Sequence, residues 1–265
     1  HSRRLKGQIN MYNNIFDSHA HYDDDSFSED LTELLEGLPS KGISFVVNCG
    51  TDINSCRKLA EISEKYDYIY FAAGIHPHEA EDAGKNDLVL IADMLNDPKC
   101  VAVGEIGLDY HYEKDSRETQ LILLEKQIQL ANELDLPIIF HDRESHEDTL
   151  NILKKYKPKG VLHCFSGSVE MAKEIIKLGM YIGLGGAVTF KNAVKPCEVA
   201  KYVPSDRLLI ETDAPYMTPV PFRGKRCDSL HIPYTAEKIA ELRGVTAQEI
   251  LDLTNDNAKR LFNIR

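Results

Sequence analysis

Tryptophan is absent from the chain, and none of its six cysteines stands in a C-x-x-C pair. The first absence leaves any ring stacking to the 12 Tyr and 9 Phe. The second argues against zinc-ribbon and thioredoxin-type sites. Cys49, Cys56, Cys100, Cys164, Cys197 and Cys227 instead read as reduced thiols, several of them in apolar strand-like runs. No apolar run approaches the ~20 residues that a membrane span needs, and no signal-peptide core is visible. A cytoplasmic protein with no membrane contact is therefore expected. Positive charge is also scarce: 31 Lys and Arg stand against 42 Asp and Glu, for a net charge of −11. That balance argues against a broad nucleic-acid-binding surface. It leaves room for a local basic pocket, and for acidic groups that hold cations. Finally, no G-x-G-x-x-G opens a first helix, which weakens a dinucleotide-binding reading.

What is present is a folded chain of 265 residues, 43% hydrophobic, with Pro and Gly scattered singly as punctuation. The basic, polar residues His1 to Asn10 precede Met11 and read as a tag remnant outside the fold. From residue 11 to 265 short β-rich runs alternate with helix-period stretches. The runs are Ile15–Asp17, Phe45–Cys49, Tyr70–Ala73, Val101–Glu105, Ile138–His141, Gly160–His163, Met180–Leu184 and Leu208–Glu211. Helical spacing marks, among others, Ser116–Leu134 and Ser168–Leu178, and three closing helices at Thr235–Leu242, Thr246–Leu253 and Asn255–Phe262. Pro215 to Pro233 reads as a loop. Roughly eight βα units predict parallel strands with helical crossovers, closed as a single-domain (β/α)8 TIM barrel of the α/β class.

The strand ends carry the chemistry. Strand one delivers His19 and His21, two residues apart in Asp17-Ser18-His19-Ala20-His21, so both imidazoles face one side. Alone, such a pair is equally an ordinary strand end. Strand four ends in Glu105, strand five in His141 followed by Asp142 and Arg143, strand six in His163, and Asp213 follows strand eight. In a parallel barrel all of these ends lie at one mouth. Each residue has a bland role on its own, capping a helix or bonding a neighbouring carbonyl. Together, His19, His21, Glu105, His141, His163 and Asp213 form a set of imidazoles and carboxylates for which a shared cation is the economical partner.

Eight segments, in this order, resemble the signatures of the TatD family of metal-dependent deoxyribonucleases. They are DSHAH, GIHPH at Gly74–His78, GEIGLDY at Gly104–Tyr110, FHDR at Phe140–Arg143, HCFSG at His163–Gly167, ETDAP at Glu211–Pro215, PVPFRGKR at Pro219–Arg226, and the closing Asn257–Phe262. The resemblance spans about Phe16 to Phe262. It implies two divalent metal ions and hydrolysis of phosphodiester bonds in DNA, as a 3'-5' exonuclease. By position it implies that His19, His21, Glu105 and Asp213 hold one metal and that Glu105, His141 and His163 hold the other. It also places His76 near the substrate phosphate. A glutamate at the end of strand four sets the chain apart from amidohydrolases that carry a modified lysine there.

On chemical grounds Asp213 is expected to orient the attacking water or accept its proton, with Glu105 as the bridge. Arg143, Arg223, Lys225 and Arg226 are candidates to offset phosphate charge, although Phe222–Arg226 reads equally as a solvated loop. Tyr110, Tyr216 and Phe222 are candidate stacking platforms, with ordinary packing as the alternative. His78 is a candidate support behind the pocket, and His111 and His146 read as surface residues. The ligand types suit Zn²⁺ or Mn²⁺, and the resemblance implies Mg²⁺ or Mn²⁺. Asp23, Asp24 and Asp25, close behind DSHAH, would repel DNA or be solvated. The alternative function is hydrolysis of a small ester, amide or phosphoester. Oligomeric state is not legible in the sequence.

Overall fold

The structure, a computed structural model, describes residues 12–112 and 114–265. The tag-like stretch His1 to Asn10 lies outside the described residues. Eight parallel strands follow one another in sequence order: β1 (Ile15–Ala20), β2 (Ile43–Cys49), β3 (Ile69–Ala73), β4 (Cys100–Asp109), β5 (Ile138–Arg143), β6 (Gly160–Leu162), β7 (Tyr181–Leu184) and β8 (Leu208–Ile210). Residues just beyond the strands close the ring. Ala20 bridges Ala214 in parallel, the Asp213 N–H donates to the His19 carbonyl (2.9 Å), and the His21 N–H donates to the Ala214 carbonyl (2.8 Å). The architecture is a (β/α)8 barrel.

Nine helices are described: α1 (Leu31–Gly37), α2 (Ile53–Lys65), α3 (Asp87–Met94), α4 (Arg117–Glu133), α5 (His146–Tyr156), α6 (Val169–Lys177), α7 (Val194–Tyr202), α8 (Ile232–Arg243) and α9 (Ala247–Phe262). Side-chain caps start several of them: Asp52 for α2, Ser116 for α4, Ser168 for α6, and a capping box of Thr246 and Glu249 for α9. No helix among the described residues is long and apolar enough to cross a membrane.

Two buried clusters separate the inside of the barrel from the helix layer. The larger packs the helices onto the outer strand faces. The smaller draws on every strand, with Phe16, Val47, Ala72, Ala102, Ile139, Val161, Tyr181 and Leu209, and so marks the interior. Phe262 joins it from α9, its ring stacked on Phe16 at 6.1 Å between centroids.

Three expectations need correction. The last two helices expected from sequence are one continuous α9. Its poor helix formers Asn255 and Asn257 face inward instead of breaking it. Asn255 Nδ2 donates to the Asn14 carbonyl and Ser44 Oγ, and Asn257 Nδ2 to the carbonyls of Ser205 and Leu208. The segment expected as loop to Pro233 already turns helical at Ile232, because proline suits a first helical turn. Strand β4 runs four residues past Glu105, to Asp109. Gly107 permits this extension: its φ is +153°, and a Cβ there would lie 1.9 Å from the His141 carbonyl oxygen.

Candidate metal centre

His19 and His21 end β1 and turn their Nε2 atoms toward each other, 3.0 Å apart. Oε2 of Glu105 lies 3.4 Å from each nitrogen, and Oδ1 of Asp213 lies 3.6 Å from His19 and 3.5 Å from His21. Ligand atoms around a cation at about 2.0–2.2 Å stand about 3.0–3.6 Å apart, depending on coordination number. These four side chains therefore fit one divalent cation. The other oxygen of Glu105, Oε1, faces a second set. His163 Nε2 lies at 2.8 Å and His141 Nδ1 at 2.9 Å, and those two nitrogens are 3.2 Å apart. His76 Nε2 stands 3.7 Å from the same oxygen. The structure thus brings together all six strand-end residues and adds His76 to their edge.

The backbone and the outer atoms of the rings fix this arrangement. Asp213 sits at a φ of +63°, a conformation uncommon outside glycine. His21 Nδ1 donates to the Cys49 carbonyl (2.8 Å), which leaves Nε2 to face the site. His141 Nε2 donates to Asp109 Oδ2 (2.9 Å), which leaves Nδ1 inward. His19 Nδ1 lies 3.4 Å from the Cys49 thiol. The ring of His163 stacks on that of His19, 3.8 Å between centroids.

The imidazoles and carboxylates of the cluster shift one another's titration. Burial alone would push both carboxyls up. The His163 charge instead carries Glu105 well below the usual carboxylate range. The His21 hydrogen bond and the His163 charge lower Asp213. Burial opposes charge on His21, yet its contacts with Asp213 and Glu105 raise it to about 10. His163 is driven well above its ordinary value by Glu105, with Glu211 adding to the effect, against its burial. Burial holds His76 down at about 3, so that ring is a neutral imidazole. A cation binding to the His21 and His163 nitrogens would compete with the protons that the carboxylates favour there.

Above the cluster opens a cavity of about 580 Å³. Arg143 lines one side, with its guanidinium carbon 5.2 Å from the centre of the Tyr112 ring. Asp23, Asp24 and Tyr216 line another, and the Tyr216 hydroxyl donates to Asp24. The basic loop lies elsewhere. Arg226 makes a two-pronged ion pair with Asp30 (2.7 and 2.6 Å) and lies over the Phe27 ring. Arg223 stacks 3.6 Å from the centre of the Phe190 ring, and the Lys225 ammonium lies 5.8 Å from that of Phe222. None of the three lines the cavity.

Of the expected stacking rings, only Tyr216 stands at the rim. Tyr110 instead donates to Asp148, and Phe222 packs edge-on against His231 and Tyr234. Tyr112, half exposed beside His78 and His111, takes the place expected for Tyr110. His78 lines the cavity itself, its Nε2 3.0 Å from Asp109 Oδ2. His111 and His146 pair with Glu144 and Asp142. Asp109 and Glu211 lie in the GEIGLDY and ETDAP segments, but only the folded register shows which histidine each one faces.

A parallel barrel with imidazoles and carboxylates gathered at the carboxyl ends of its strands is the frame of a metal-dependent hydrolase. The chain belongs to the TatD family: residues 16–263 match the family described as TatD related DNase. It is 46% identical over 253 residues to a Bacillus subtilis protein named as the uncharacterized metal-dependent hydrolase YabD, covering 94% of this chain and 99% of that one. It is 31% identical over 259 residues to the 3'-5' ssDNA/RNA exonuclease TatD of Erwinia tasmaniensis, covering 94% of this chain and all of that one. Among solved structures, the TatD homologue YJJV of Escherichia coli K12 superimposes with a TM-score of 0.90 at 33% identity, covering 95% of this chain and 99% of that one.

Proposed function

We propose that the chain is a two-cation phosphodiesterase that removes nucleotides from the 3' end of DNA. The observation that carries this reading is the division of Glu105. One oxygen faces the His19 and His21 nitrogens, which Asp213 also faces, and the other faces His141 and His163. A divalent cation in each set, Mg²⁺, Mn²⁺ or Zn²⁺, would polarise the phosphate and make a bound water acidic. Asp213 turns Oδ1 to the histidines, so its other oxygen is the acceptor for the proton of the attacking water. The neutral His76 ring and the Arg143 fork meet the phosphate oxygens. Tyr112 and Tyr216, on opposite parts of the rim, offer faces to terminal bases. Arg223, Lys225 and Arg226, spent on Phe190, Phe222 and Asp30, are left for a more distant part of the strand.

One observation favours hydrolysis of a small ester, amide or phosphoester instead. The cavity wall that carries Asp23, Asp24 and Glu79 is acidic and would repel a second phosphate. End-labelled single-stranded DNA and a panel of small esters and phosphodiesters, each assayed with Mg²⁺, Mn²⁺ and Zn²⁺, separate the readings. The nuclease reading predicts a ladder shortening from the 3' end, abolished by chelator and by Glu105→Ala. Turnover of the small substrates with intact DNA would overturn it.

A further inference from the structure

His163 differs from the other histidines of the cluster in one respect. His21 and His141 each bind an acceptor through the nitrogen that faces away from the site, and His19 has the Cys49 thiol within reach. His163 Nδ1 is buried and has no hydrogen-bond partner. The nearest carboxylate is Glu211, whose Oε1 lies 3.5 Å away. Glu211 is itself anomalous. It is 1% exposed, its Oε2 is also without a partner, and among the described residues no lysine or arginine lies within 4.0 Å of it. The Cys164 N–H donates to Oε1 and fixes the carboxylate beside His163. Gly183 makes the space, since a Cβ there would stand 2.6 Å from Oε2. A buried carboxylate held by a single donor is unfavourable, and so is a buried ring N–H without an acceptor. One small closure of the 3.5 Å gap gives the ring N–H an acceptor and the carboxylate a second donor.

We propose that Glu211 is a positioning residue for His163: it accepts the Nδ1–H and so aims the Nε2 lone pair at the cation shared with Glu105 and His141. The inference rests on the reading that these three residues hold one of two cations. A carboxylate behind a metal-binding imidazole fixes its tautomer and makes it a stronger ligand, and losing such a partner weakens metal binding about 10–100-fold. Asp109 stands in this relation to His141, and Glu211 is the matching group on the other side of Glu105.

The test is calorimetric titration of the chelator-stripped protein with Mn²⁺, with melting temperatures measured alongside. Wild-type protein takes up two ions. Glu211→Gln keeps an amide oxygen and weakens one ion about tenfold, Glu211→Ala weakens that ion by up to about a hundredfold, and the second ion keeps its affinity in both. Wild-type binding of both ions by Glu211→Ala overturns the proposal. Equal weakening of both ions, with a lowered melting temperature, overturns it as well, since that is the mark of a merely structural residue. Uptake of one ion by wild-type protein overturns the two-cation reading itself, a result distinct from either. If Glu211→Ala does not fold, nitrogen-15 histidine NMR of the metal-loaded wild-type protein decides the question. A protected Nδ1–H on His163 is expected, and a proton on Nε2 refutes the proposal.

Discussion

Metal binding should draw protons out of the protein, in a number the geometry sets. In the cation-free site, His21 is raised to about 10 and His163 well above its ordinary value. His21 uses Nδ1 on the Cys49 carbonyl, so its extra proton sits on Nε2, among Glu105, Asp213 and His19. His163 Nε2 likewise faces Glu105. Each proton therefore occupies the lone pair that a cation needs. Near neutrality both rings carry it, so about two protons leave per cation pair. Affinity then rises about tenfold per pH unit for each proton released, or about 1.4 kcal/mol. Stability without cation runs the opposite way. A pKa raised in the fold contributes stability that is fully present below the unfolded value near 6.5, and that is lost as pH rises through about 10. The stripped protein should thus lose melting temperature from about pH 6.5 upward, while the increment given by added Mn²⁺ grows. Titration calorimetry in two buffers of different ionisation enthalpy counts the protons directly. Affinity that is flat between about pH 6 and pH 8, with no proton release, would refute the electrostatic account of the site.

Three further perturbations probe separate parts of the molecule. Asp213→Asn should lower turnover about 10²–10⁴-fold while elemental analysis still finds metal, because the amide oxygen can ligate but cannot take a proton at neutral pH. Phe262→Ala, which empties a ring position 3% exposed and stacked on Phe16, should reduce stability in urea by about 3–5 kcal/mol and leave metal stoichiometry unchanged. Tyr112→Ala removes a half-exposed ring beside Arg143 and should weaken oligonucleotide binding by about 1–3 kcal/mol, read as KM or as fluorescence anisotropy, with no effect on a small phosphodiester.

The barrel and the gathering of strand-end imidazoles and carboxylates were legible because both rest on short-range pattern. Strand period puts His19 and His21 on one side, and parallel order puts every strand end at one mouth. The contacts that the sequence does not reveal involve groups with a distant partner. Arg226 has the composition of a phosphate-binding residue, but Asp30, nearly 200 positions away, claims its guanidinium. Asn255 reads as the start of a separate helix until its amide is seen on the Asn14 carbonyl. Tyr110 and Tyr112 are equivalent in sequence, and only the turn after β4 decides that the first meets Asp148 and the second the rim. Glu211 and Asp109 look like ordinary acidic residues at strand ends, because the imidazoles they face come from neighbouring strands.

Closing the barrel and building the site are the same structural event. Each of the seven pairings between successive strands has a register of two or more residues, whereas β1 and the end of β8 are joined by the single bridge Ala20–Ala214. Side chains reinforce this seam. Asp17 accepts from the Thr212 N–H (3.0 Å) and from the Thr212 and Ser229 hydroxyls (2.7 Å each), and Ser18 Oγ donates to the Ile210 carbonyl. Burial pushes Asp17 up to about 7 in spite of those donors, so the seam is held by a carboxyl that has given up its water. The residues joined there are those that carry His19, His21 and Asp213. The His19 carbonyl accepts from the Asp213 N–H, and both side chains then reach the same point. Ligands from opposite ends of the chain meet only if the ring is shut in the right register, because a shift of one residue would turn His19 and His21 to the other face. The hydrogen bonds that complete the fold therefore also set the distance between the first histidine and the last aspartate of the site.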